Sequence, residues 1–247
     1  MSEAGSFKTE LPSFLELMGI DLHHHLWGVS LHDWVPVIMS LLVGLLLILV
    51  SYIATKRLEK VPRGSQALVE VIVEGLENFL RGVMGSAAPK YLPFIGTIFL
   101  YILTMNLWGL IPLMHSPTNK LNTTAALALV VFFNTHIQGA KKHGIINYAK
   151  HFADPLWLAP LMVPIHIVGE LARPLSLALR LFGNLTGEDI AIASLVSLVI
   201  LVPVFIPIPV HLFMVILAIL FSTIQAIVFA LLSSIYIASA IGAFEEE

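Results

Sequence analysis

Long apolar runs alternate with short polar clusters along nearly the whole chain. The first run, about Trp34 to Ala54, carries no charge, and at 1.5 Å per residue it can cross a hydrocarbon core of roughly 30 Å. The second, Ser65 to Met84, sets Glu70, Glu74 and Glu77 on one helical face against Leu68, Val69, Val71, Ile72, Leu76, Phe79 and Leu80. That pattern predicts an amphipathic helix lying in the membrane interface. Tyr91 to Leu113 predicts a spanning helix with Asn106 near its far end and Pro112 and Pro117 punctuating its exit. Asn122 to Gln138 predicts another, ending before Lys141, Lys142 and Lys150.

The last third reads differently. From about Leu156 to Leu201 the chain stays apolar and helix-compatible, although prolines interrupt it and charges sit within it. As one helix it would extend roughly 70 Å, and the following run, Val210 to Ala243, roughly 50 Å. Both exceed the membrane thickness. Joined by the short apolar turn Val202 to Pro209, they predict a strongly tilted C-terminal two-helix hairpin that can lie along a partner.

The pattern therefore predicts an all-α integral membrane protein with five transmembrane helices and one interfacial amphipathic helix. Residues 1–34 form an outer-side N-terminal segment and 35–247 the membrane domain. Composition agrees: 57% of residues are hydrophobic and 12% charged, too little polar surface to cover a soluble globule. Lys56, Arg57, Lys60, Arg63, Arg81, Lys90, Lys141, Lys142 and Lys150 fall on one side of this topology, against Lys8 and Lys120 on the other. The basic side is cytoplasmic, so the N-terminus lies outside and the C-terminus, with Glu245, Glu246 and Glu247, inside. The acidic N-terminus lacks the basic start of a cleaved signal, and the chain has no cysteine for disulfides or thiolate chemistry.

Charges inside the fifth run carry the candidate chemistry: Glu170, Arg173, Arg180, Glu188 and Asp189. A central arginine costs about 2.5 to 3.5 kcal/mol on insertion scales, so such groups face a cavity or a partner and point to an ion pathway. Glu170 lies roughly 15 Å before Arg180 along a straight helix, and Asp189 roughly 13 Å after it. Arg173, Ser176, Arg180 and Asn184 recur at three- or four-residue spacing and share one face. A guanidinium stays charged at physiological pH, so between two carboxylate-bearing aqueous pockets it blocks direct passage of cations. Transport then requires a moving carrier, which this chain lacks and another subunit must supply. The alternative is that Arg173 or Arg180 simply pairs with Glu170, Glu188 or a carbonyl to orient the bundle. Glu170 and Arg173, three residues apart, suit such a pair.

Other polar residues weigh less. Asn106, Asn122, Asn134, Ser222 and Gln225 individually read as interhelical hydrogen bonds. Consecutive His23, His24 and His25 diverge without a carboxylate cluster, so no metal site is expected, and His115, His136, His166 and His211 read as solvated or capping groups near segment ends. No phosphate-binding loop, nucleophile elbow or nucleic-acid patch is present, so neither covalent catalysis nor a cofactor is indicated.

Arg173 to Asn184 reads RPLSLALRLFGN, followed by LTGED, and resembles the signature helix of subunit a of F-type ATP synthases. MNLWGLIP in the third segment, the following LNTT and IQAIVFALLSSIYI in the last helix resemble that family as well. The resemblance implies five spanning helices and one interfacial helix. It implies that the chain is a non-catalytic stator subunit offering two half-channels to protons or sodium ions, with the c-ring, the peripheral-stalk subunit b and the lipid bilayer as partners. It implies a bacterial plasma membrane, with a thylakoid membrane as the alternative. Arg180 then matches the essential stator arginine facing the rotor carboxylates, Asn184 its polar neighbour, Gln225 the glutamine of the last helix, and Asp189 the acid of the outer half-channel, with Glu188 a second acid beside it. Two positions depart from some relatives: Ala218, where a histidine can occur, and Gly109, where an acid can occur. The competing classes are a self-contained secondary transporter, for which an internal repeat is expected and none is visible, and a membrane scaffold, for which the embedded charges are superfluous.

Overall fold

The computed structural model describes residues 25–26, 29–56, 59, 62–111, 114, 116–151, 159–199 and 207–242. Most of the N-terminal segment, the centre of the turn expected between the last two helices and the C-terminal glutamates lie outside these residues. The described part is helical apart from a two-residue antiparallel ladder, β1 (His25–Leu26) with β2 (Val29–Ser30).

Helix α1 (Leu31–Thr55) lies against α3 (Ala88–Trp108), where the Tyr101 hydroxyl donates to the Ser40 carbonyl at 2.9 Å. One face of α1 is packed, with Val35, Met39, Val43 and Ala54 buried, and the opposite face is open, with Leu41, Leu45 and Ile48 exposed. Helix α2 (Ser65–Met84) has the bounds the charge pattern predicts, entered from Gly64 at φ 59° and left at Gly85 at φ 55°. Both are left-handed conformations that glycine adopts without a Cβ penalty. A 3-10 turn, Gly85–Ala87, folds α2 back on α3, bringing Leu76 against Gly96.

Helix α3 ends at Trp108, earlier than the apolar run suggests, because Pro112 restricts the residue before it and the chain tightens into a turn. In that turn the Gly109, Leu110 and Ile111 amides bond to carbonyls three residues back. Helix α4 (Leu121–His143) runs past the expected Gln138, with Lys141, Lys142 and His143 in its last turn, where cations complement the exposed carbonyls. Gly144, at φ 80°, ends it, and a short helix α5 (Ile145–His151), absent from the sequence reading, folds back so that Tyr148 packs on Gly139.

The two long elements are α6 (Ala159–Val199) and α7 (Pro207–Ala240), of 41 and 34 residues, hence roughly 60 and 50 Å long. Helix α6 packs on α4 and α7, and α7 also on α3. One core joins Val43, Ile102, Met105, Val131, Leu177, Leu181 and Phe229; a second joins Leu80, Met84, Tyr91, Ile95, Ile237 and Ile241. Ala226, Ala230, Ser233, Ser234 and Ala238 are buried along α7. Small side chains let helices approach closely where lipid supplies no competing driving force. Among the described residues, four stretches are long and apolar enough to cross a membrane: Trp34–Thr55, Gln66–Trp108, Ala159–Ile192 and Leu212–Ala240. Helix α4, richer in Asn, Thr, His and Gln, is not one of them.

Candidate functional site

The fifth segment forms one continuous helix, so its charges are set out along α6 in sequence order. In the N-terminal half, Glu170 and Arg173 form the expected pair, Oε1 to Nη1 2.7 Å. Two α4 and α5 residues join them. His136 Nε2 lies 3.8 Å from Glu170 Oε2, and its Nδ1 is 2.9 Å from the Tyr148 hydroxyl. Arg173 also stands over the Tyr236 ring at 5.3 Å, a cation–π contact from α7. Glu170 and Arg173 line a recess with Phe132, Thr135, Leu177 and Tyr236. On α5, burial first and the Glu170 charge second hold the Tyr148 phenol above its ordinary value, so it remains a hydrogen-bonding hydroxyl. In the sequence His136 stands near a segment end and Tyr148 belongs to no pattern. No local spacing signals either, because their partner sits on another helix.

In the C-terminal half, Asn184 Nδ2 donates to Gln225 Oε1 at 2.6 Å, bringing together two residues 41 positions apart. Glu188, Asn184, Gln225, Ser222 and Asn106 share a second recess, floored by Leu181, Leu185 and Phe221. Gln225 Nε2 and Ser222 Oγ are buried with no hydrogen-bond partner among the described residues. Nearby Thr223, Ser233 and Ser234 instead donate to the carbonyl four residues back. A water in this recess could satisfy such unpaired polar atoms.

Asp189 does not line that recess. It accepts from Asn119 Nδ2 at 2.6 Å, on the turn before α4, and Asn119 Oδ1 accepts from Thr186 Oγ1 at 2.9 Å. Asn119 was not singled out in the sequence, since a lone loop asparagine carries no pattern.

Arg180 lies between the two recesses on the open face of α6. Its side chain is exposed and makes no hydrogen bond or ion pair among the described residues, and Ser176, one turn earlier, is exposed on the same helix. Around them Leu171, Leu175 and Leu179 are exposed too, so the guanidinium projects from an apolar surface.

This arrangement lies within residues 37–238, which match the sequence model of the ATP synthase A chain. The chain belongs to that family. It is 48% identical over 172 residues to ATP synthase subunit a of Geobacter sulfurreducens, covering 69% of this chain and 73% of the relative. It is 40% identical over 213 residues to ATP synthase subunit a of Protochlamydia amoebophila, covering 82% and 79%. Syntrophotalea carbinolica ATP synthase subunit a 1 is 49% identical over 182 residues, covering 73% of each. Family membership and the long apolar helices make the chain a multi-pass membrane component of an ATP synthase.

Proposed function

We propose that this chain is the stator ion-channel subunit of an F-type ATP synthase, conducting protons to and from a rotating c-ring and thereby coupling the transmembrane gradient to ATP synthesis. One observation carries the proposal: Arg180 stands exposed on an apolar helix face, without a partner among the described residues, between two polar recesses. A lipid-facing guanidinium is costly, and a carboxylate carried past it by another subunit relieves that cost. Five spanning helices and the interfacial α2 complete the membrane domain, residues 35–247. The excess of Lys and Arg on one side sets the N-terminal segment outside and the C-terminus in the cytoplasm of a bacterium. The recess at Glu170 and Arg173 then belongs to the inner half-channel, with Ser176 on the exposed face between it and Arg180. The recess at Asn184, Gln225 and Glu188, with Asp189 near it, belongs to the outer one. Subunit b contacts the chain outside the rotor face, and the chain itself carries no catalytic step.

In membranes containing the whole complex, Arg180→Ala abolishes coupled ATP synthesis while subunit a is still incorporated at normal copy number. Synthesis at the normal rate in that variant refutes the proposal.

A further inference from the structure

The Asn119 side chain bridges two residues of α6 that stand three positions apart. Its Nδ2 donates to Asp189 Oδ2 at 2.6 Å and its Oδ1 accepts from Thr186 Oγ1 at 2.9 Å. A primary amide holds donor and acceptor on one rigid plane, so both bonds select the same rotamer. The turn bearing Asn119 is itself anchored. Pro117 and Thr118 are buried, Ser116 Oγ donates to the Met105 carbonyl at 3.0 Å, and Thr118 Oγ1 donates to Asn106 Oδ1 at 2.9 Å. Asn106 in turn approaches the Ser222 carbonyl of α7 at 3.5 Å. The position of Asn119 is thus set by α3 and α7 and imposed on α6.

Glu188, the residue before Asp189 on α6, points about 100° away from it and lines the recess with Asn184 and Gln225. The two acids are therefore placed in series, one at the turn and one in the recess. Lys120, the residue after Asn119, is exposed.

Building on the stator reading above, we propose that Asn119 is a positioning residue for proton uptake from the outer side. It donates to the Asp189 carboxylate and holds that group beside the recess. Asp189 then takes a proton from outer-side water and yields it to the Glu188 carboxylate, returning to its starting charge.

The test uses the whole complex in liposomes with the outer side facing the lumen. ATP synthesis per assembled subunit a is compared with wild type at each luminal pH. Asn119→Ala removes both bonds and lowers synthesis roughly tenfold or more at every pH, the scale of a lost hydrogen bond to a charged group. Asn119→Asp keeps the shape and the acceptor for Thr186 but sets a second carboxylate against Asp189. Near a luminal pH of about 8 it is as slow as the alanine variant. At about pH 5 the added carboxyl is protonated and donates again, and synthesis returns to within about twofold of wild type. Should the alanine variant fail to assemble, the isosteric aspartate variant decides alone. Wild-type rates in either variant, or an equal loss at every pH in Asn119→Asp, overturn the proposal. Arg180→Ala in the same preparation separates the two readings: synthesis persisting there refutes the stator role itself.

Discussion

Gly109 sits in the turn that closes α3 at φ −65° and ψ −18°, ordinary helical values that alanine adopts without backbone strain. A Cβ added there would lie 2.7 Å from Ser116 Cβ, where ordinary contact begins at 3.4 Å. Ser116 would have to withdraw by the difference, about 0.7 Å, and its Cβ is tethered directly to the backbone of a buried turn. The same residue donates to the Met105 carbonyl at 3.0 Å and lies 2.8 Å from the Thr118 hydroxyl, so a shift of that size stretches both contacts beyond good geometry. Overpacking costs about 1 to 3 kcal/mol and the weakened Ser116–Met105 hydrogen bond about 1 kcal/mol, so Gly109→Ala is expected to destabilise the turn by roughly 2 to 4 kcal/mol. If unfolding of the subunit begins there, its half-loss temperature after detergent extraction falls by roughly 5 to 15 °C. Because Asn119 hangs from this turn, ATP synthesis per assembled complex falls as well. Replacing Ser116 by Gly in the same chain removes the colliding Cβ and restores part of the stability. A Gly109→Ala protein as stable as wild type, or one that Ser116→Gly does not rescue, refutes the packing argument. The steric reading also accounts for the missing acid: no side chain fits at Gly109 while Ser116 rests on it.

Two further predictions concern α6. Asn184→Leu and Gln225→Leu, singly and together, form a double-mutant cycle. The 2.6 Å bond predicts a coupling of about 0.5 to 1.5 kcal/mol in subunit stability, and additive losses would show that the two side chains do not interact. Glu188→Gln and Asp189→Asn each slow proton-driven synthesis in the whole complex, because the two acids act in series. Normal synthesis in the variant carrying both substitutions places the outer pathway elsewhere.

Much of this protein was legible from residue order alone. Apolar run length fixes which segments are long helices, since a hydrocarbon core demands about 20 apolar residues and internal satisfaction of every backbone group. The acidic stripe of α2 gives its bounds, and the spacing of Arg173, Ser176, Arg180 and Asn184 places them along one helix, because 3.6 residues per turn is a local rule. The Glu170–Arg173 pair is local for the same reason. Helix ends were less legible: α3 stops at Trp108 and α4 continues to His143 because turn packing and terminal cations outweigh the apolar pattern there. What joins different helices could not be read from periodicity. His136 reaches Glu170 from α4 with Tyr148 of α5 behind it, Asn184 meets Gln225 across 41 positions, and Asn119 holds Asp189 across 70. Which of two adjacent acids faces the recess depends on a rotation of about 100° per residue, and packing of α6 against α4 and α7 sets the phase of that rotation. The sequence supplies the charges and their order along the helix axis; the tertiary contacts decide which way each one points.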